Sequence, residues 1–159
     1  SLVVAENSTG PTRYRLLETM RQYAQEKLGE SREADEVRTL HRDHYTALAA
    51  ELDAPAGSEH ESRLEQVVAE IDNLRAAFAW SSENSDAELA AALASALQPL
   101  WLARGRIREG MAWFKTAVPD DDVPRAELTA ATRARALADE ARLGIRVAAA
   151  GSSEKAERG

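Results

Sequence analysis

The sequence predicts a mainly α-helical fold in which a short N-terminal β-hairpin leads into an irregular array of antiparallel helices. Three observations carry this expectation. Apolar residues recur at three- and four-residue intervals from Leu17 to Leu143, the spacing that lines one face of a helix. Alanine is abundant and only eight of the 159 residues are aromatic, a composition that suits closely packed helices better than thick sheets. Strand-favouring residues before the first helix, among them Val3, Val4 and Tyr14, flank the turn-forming run Asn7, Ser8, Thr9, Gly10, Pro11.

Each element follows from local chemistry. Leu2, Val3 and Val4 form one strand; Tyr14, Leu16 and Leu17 form a second that runs into a helix. Leu17, Met20, Tyr23, Ala24 and Leu28 share a side of that first helix, and Gly29 stands where a left-handed C-terminal cap is wanted. Val37, Leu40, His44, Tyr45, Leu48 and Leu52 define a long second helix that Asp53, Ala54, Pro55 and Gly57 break. Ser58 and Glu61 have capping-box spacing ahead of a third helix with Leu64, Val67, Val68, Ile71, Leu74 and Phe78 on its apolar stripe. Ser85 and Glu88 repeat that spacing before a fourth helix from Leu89 to Trp101. Pro99 cannot donate to the carbonyl four residues back, which predicts a kink or an early break there. Gly105 marks a turn into a fifth helix, Ile107 to Val118, that pairs with the fourth as a hairpin. Asp120, Asp121 and Asp122 precede Pro124 and suit the positive end of a sixth helix carrying Leu128, Ala131, Ala138 and Leu143. The small, polar and charged residues from Ala148 to Gly159 predict a frayed end.

Helices of this length joined by short turns read as stacked, tetratricopeptide-like repeats, although no repeat recurs without change. The expected organisation is therefore a β-hairpin plus helix over 1–29, an irregular helical array over 30–118, the start of a next repeat over 119–147 and the tail over 148–159.

Composition excludes several classes of function. The chain has no cysteine, hence no disulfide framework, no thiolate zinc ligand and no thiol nucleophile, which fits a reducing cytoplasm. No apolar run approaches the roughly 20 residues that span a bilayer, so no membrane partner is expected. The net charge is −7, and residues 51–100 hold ten acidic against two basic side chains, a balance that repels phosphate backbones. Residues 101–159 hold eleven basic and nine acidic side chains in no stripe, so the chain is expected to bind no nucleic acid directly. Arginine outnumbers lysine 17 to 3, as in proteins of high-GC genomes such as those of actinobacteria.

Candidate chemistry is sparse. His41 and His44 share a helix face at ligand spacing, but no second helix offers a matching His, and they read as structural. Glu65, Glu70 and Asp72 are paired carboxylates on a solvated face. A metal-dependent or acid-base enzyme built on His41, His44 and Glu70 is the alternative; the leading reading assigns no catalytic residue and no metal. Asp72, Asn73 and Arg75 lie beside an apolar stripe and read as a hydrogen-bonding network that fixes how helices cross. Trp80, Trp101 and Trp113 read as core residues, with the lining of a ligand groove as the alternative for all three. Arg104, Arg106 and Arg108 flank the Gly105 turn and read as basic side chains favoured near a helix C-terminus, with an anion or partner patch as the alternative.

Four segments carry a family resemblance. RYRLLETMRQYA at 13–24, VRTLHRDHYTALA at 37–49, EIDNLRAAFAW at 70–80 and WLARGRIREGMAWFKTAV at 101–118 resemble, in this order, large bacterial STAND-type (NB-ARC-like) transcriptional regulators of LuxR-like or AfsR-like architecture. The first resembles the end of a winged-helix subdomain. The resemblance implies a nucleotide-binding core upstream, where ATP or ADP would bind, and a sensor array here that couples a protein or small-molecule effector to it through contacts with neighbouring domains. No cofactor site falls in this chain: the run Gly151, Ser152, Ser153, Glu154, Lys155 lacks the spacing and second glycine of a phosphate loop. Tyr14 and Arg15 on the wing would touch DNA only in a true winged-helix reader; in the resembling regulators this segment packs between domains.

Overall fold

The computed structural model describes residues 3–6, 13–53, 57–118 and 128–157, with side chains from Leu16 to Ala149. The described residues are mainly helical. The chain divides into two compact units, Ser1–Thr39 and Leu40–Gly159.

In the first unit, strand β1 (Val3–Glu6) pairs antiparallel with β2 (Arg13–Leu16), Val3 opposite Leu16 and Val4 opposite Arg15. The turn run from Asn7 to Pro11 lies outside the described residues. Helix α1 (Glu18–Glu30) starts at Leu17, whose carbonyl accepts from the N–H groups of Met20 and Arg21. Glu18 in the first turn binds Arg21 bidentately, a charge placement that complements the helix dipole. Helix α1 buries none of its residues, and Tyr23 is 55% exposed. Gly29 is not the left-handed cap expected of it. The helix continues to Glu30, and Ser31 closes it in extended geometry, donating both its N–H and its hydroxyl to the Leu28 carbonyl. With that carbonyl satisfied, no left-handed residue is required.

The boundary between units falls inside α2 (Ala34–Ala50). In the second unit, α2 delivers Leu48 and Ala49 to the core and ends in a 3-10 turn (Glu51–Asp53) that buries Leu52. The buried face of α2 differs from the expected stripe: His41, Arg42 and Tyr45 are half-buried, whereas Leu40 and His44 are exposed. A small rotation of the stripe suffices, because His41 rests on the Tyr45 ring at 4.6 Å.

The single third helix predicted from Leu64 to Phe78 is two helices, α3 (His60–Ala69) and α4 (Ile71–Glu83). Glu70 separates them with φ −100° and ψ 12°, and Asn73 donates to its carboxylate at 2.6 Å. Neither expected capping box forms. The α3 N-cap is Glu59, with no side-chain cap bond. At α5 (Ala87–Ala96), Asp86 takes the capping role and accepts from the Leu89 N–H at 3.2 Å, while Ser85 adopts φ 59° to make the turn.

The expected break near Pro99 occurs. Leu97 ends α5, and α6 (Gln98–Ala103) begins with Pro99 in its first turn, where the missing N–H costs nothing. Gly105 then takes φ 67°, a conformation open to glycine, before α7 (Ile107–Ala117). The acidic run and Pro124 lie outside the described residues. Helix α8 (Ala130–Glu157) remains helical through the segment from Ala148 that its composition marked as a frayed tail.

Helix α5 is the centre of the second unit. It packs against α4, α7 and α8, and α7 packs against α8. Ala90, Ala91, Ala94 and Ala96 let these neighbours approach, while Leu93 and Leu97 fill the space between them. Trp101, Phe114, Leu64, Leu74, Leu100 and Leu143 complete a core in which each is almost wholly buried.

Candidate inter-helix coupling surface

Of the polar residues singled out from sequence, Asp72, Arg75 and Arg106 meet at Glu109 in one seam between α4 and α7. Arg75 on α4 donates through Nε to Glu109 on α7 at 2.7 Å and through Nη1 to Asp72 at 2.8 Å. The Glu109 hydrogen bond is the main cause holding the Arg75 guanidinium above its ordinary pKa. Arg106, the N-cap of α7, sits 3.6 Å from the other Glu109 oxygen, so Glu109 collects one arginine from α4 and one from the start of its own helix. Arg104 crosses instead to Glu61 on α3 at 2.5 Å. Asn73 turns inward to Glu70 and serves the α3–α4 break rather than the crossing. Arg108 is exposed.

Trp101 and Trp113 are buried. Trp113 stacks on Phe78 with ring centroids 4.1 Å apart and meets Trp101 edge-on at 5.2 Å. This cluster joins α4, α6 and α7. The Trp101 indole N–H is buried with no hydrogen-bond partner among the described residues, which costs about 1–3 kcal/mol and leaves packing as the reason for the residue. Trp80 is half-buried.

Sequence reasoning missed three further fasteners. Arg42 on α2, largely buried, donates at 3.1 Å to Asp86, whose other oxygen caps α5, so one carboxylate fixes a helix start and a helix crossing together. Glu88 on α5 accepts from the Thr129 N–H and hydroxyl, each at 2.9 Å, and from the Thr132 hydroxyl at 2.5 Å. These bonds, the Thr132 one foremost, hold the Glu88 carboxyl below its ordinary value and clamp the start of α8. Arg135 on α8 binds Asp53 at 2.5 Å, and the buried Asp139 receives Arg142 at 3.1 Å. The signal for Glu88 was its fixed place in a cap spacing, but its partners lie more than forty residues away.

Among the described residues, no group of three or more His, Asp or Glu side chains can hold a metal ion. His44 is exposed and meets the Tyr45 ring edge-on at 4.9 Å; Glu65 is exposed, and Glu70 is occupied by Asn73. Tyr14 and Arg15 belong to β2, but their side chains lie outside those described. No helix among the described residues is long and apolar enough to cross a membrane.

The described residues form a helical body whose conspicuous polar groups fasten one helix to another. Over 143 residues, 90% of the chain, the sequence is 55% identical to a Mycobacterium tuberculosis protein provisionally named an HTH-type transcriptional regulator, and equally to one from Mycobacterium bovis. The chain spans 16% of the length of these relatives. A shorter likeness, 54% identity over 44 residues, or 28% of this chain and 11% of the relative, joins it to an uncharacterized Mycobacterium tuberculosis protein. No family model and no solved structure matches. The chain is thus similar to a segment of a transcriptional regulator.

Proposed function

We propose that this chain is the non-catalytic helical sensor region of a multidomain, ATP-dependent, cytoplasmic transcriptional regulator of the STAND type. Its first unit would be the end of a winged-helix subdomain, and its second unit a tetratricopeptide-like array. The observation that carries the reading is the seam itself: Arg75, Glu109 and Arg106 together with the Phe78–Trp113–Trp101 stack lock three helices into one body. Such a body transmits a docking event as a rigid unit, because interdigitated cores resist gradual deformation. The likeness to a segment of a regulator points the same way. A protein or small-molecule effector bound to the array would bias an upstream nucleotide switch by its differential affinity for the two states of the switch.

The test is the full-length protein with residues 40–118 deleted, assayed for nucleotide hydrolysis, effector response and reporter transcription. Loss of effector response with hydrolysis uncoupled from transcription is the expected result. Unchanged hydrolysis, response and transcription would overturn the reading.

A further inference from the structure

A pocket of about 240 Å³ in the second unit lies where the 3-10 turn, the α5–α6 break and α8 meet. Pro99 has no N–H for the Ser95 carbonyl four residues back, so the helix is interrupted at this wall. Ser95 lines the pocket and is 2% exposed, and its hydroxyl has no hydrogen-bond partner among the described residues. The hydroxyls of Ser81, Ser82 and Thr116, by contrast, each donate to the carbonyl four residues back, at 3.1, 3.0 and 3.0 Å. A buried hydroxyl without a partner is destabilising, and an alanine would fill the same place without that cost, so packing does not account for it. Two charged pairs share the lining. The Asp139 carboxylate, in a residue 6% exposed, takes Arg142 Nη1 on one oxygen at 3.1 Å, while its other oxygen has Arg135 Nε at 3.6 Å, beyond hydrogen-bond length. Arg135 reaches Asp53 through Nη2, so two arginines and two aspartates line the pocket with cancelling charge. Gln98 adds an amide, and Pro99 and Ala138 add apolar surface.

We propose that this pocket binds a small zwitterion, an α-amino acid with a short apolar side chain, whose ammonium donates to Ser95 Oγ and the open Asp139 oxygen and whose carboxylate accepts from Arg142 and the Gln98 amide. A molecule carrying both charges leaves the pocket neutral, whereas a lone anion or cation would add an uncompensated charge to it. The volume lies below the roughly 300 Å³ at which sites for larger organic ligands begin, which suits a ligand of a few heavy atoms. Arg142 engages Asp139 through Nη1, and its guanidinium carries further N–H groups to give. The inference deepens the sensor role proposed above by naming the class of effector, and rests on that role for the consequence of binding.

The experiment titrates the whole chain by calorimetry with L-alanine and with propionate and ethylamine, which keep one charge each. Alanine is expected to bind saturably, and each analogue about tenfold more weakly or worse. Ser95→Ala removes a hydroxyl that fastens nothing within the fold, so its urea midpoint should equal or exceed the parent's while alanine binding weakens about tenfold. Arg142→Gln, at a side chain 66% exposed, should keep the fold and reduce the advantage of alanine over ethylamine. No saturable binding of alanine, equal binding of the three molecules, or unchanged alanine affinity in Ser95→Ala would overturn the inference. Lost transcriptional coupling on deletion of residues 40–118, together with absent alanine binding, would overturn the site while leaving the sensor role standing. Saturable alanine binding in a protein whose transcription is indifferent to that deletion would support the site and overturn the sensor role.

Discussion

Gly110 is the residue on which the second unit closes most tightly. A Cβ there would lie 2.6 Å from Trp101 Cδ1 and 2.7 Å from a Leu143 methyl, so α6, α7 and α8 converge on a missing side chain. Gly110→Ala should therefore destabilise the chain by about 1–3 kcal/mol, read as a lower urea midpoint at unchanged slope. Gly144 on α8 supplies the contrast, since a Cβ added there would meet nothing within 4 Å. Gly144→Ala should stabilise by about 0.5–1 kcal/mol through helix propensity alone. Equal effects at the two positions would contradict the packing account. Periodicity does not separate these glycines, because both sit in helical patterns and differ in what folds against them.

At the scale of elements, the fasteners differ in worth. Arg75 is 44% exposed in its side chain, so its bond to Glu109 orients α4 against α7 more than it stabilises them. A double-mutant cycle with Arg75→Ala and Glu109→Ala should give a coupling of about 0.2–1 kcal/mol, falling as salt is added. Glu88 acts on the start of α8 and makes that attachment dependent on pH. Its carboxyl is held below its ordinary value of 4.5 in the folded chain, so its contribution is present above that value and is lost as pH falls through the lower folded value. Glu88→Gln should leave less of the thermal stability to lose between about pH 5 and pH 3, measured as melting temperature against pH for both proteins. If the Glu88→Gln variant loses as much as the parent over that range, Glu88 is excluded as a source of the acid sensitivity.

Across the whole molecule, stability is expected to follow burial unit by unit. Helix α5 hides six of its ten residues, whereas α1 hides none of its thirteen. Hydrogen exchange on the intact chain should protect the α5 amides longest and those of α1 least, since local opening follows the amount of packing that must be broken. Protection of α1 equal to that of α5 would contradict this ordering and require a surface that covers α1. The same contrast explains how much of the fold is legible in the sequence. Leu89, Leu93, Ala96 and Leu97 announce α5 through periodicity, and the helices around it are legible as elements. Their fine divisions are not: the break at Glu70 has neither proline nor glycine to signal it, and the Asp86 cap sits one residue past the serine that sequence spacing favours.

The amino-acid sequence by itself determined the helical class, the turn at Gly105, the interruption before Pro99 and the phrases shared with regulator segments, because each depends on backbone preference or on spacing along one stretch of chain. Only the tertiary structure decided which of the marked side chains belong together. Arg75 meets Glu109, Arg104 leaves for Glu61, His44 faces solvent and Trp101 lies in the core, since these outcomes depend on how helices rotate about their axes and cross. A rotation of one residue along a helix turns a side chain by about 100°, enough to move it from core to water while leaving the pattern that predicted the helix almost unchanged.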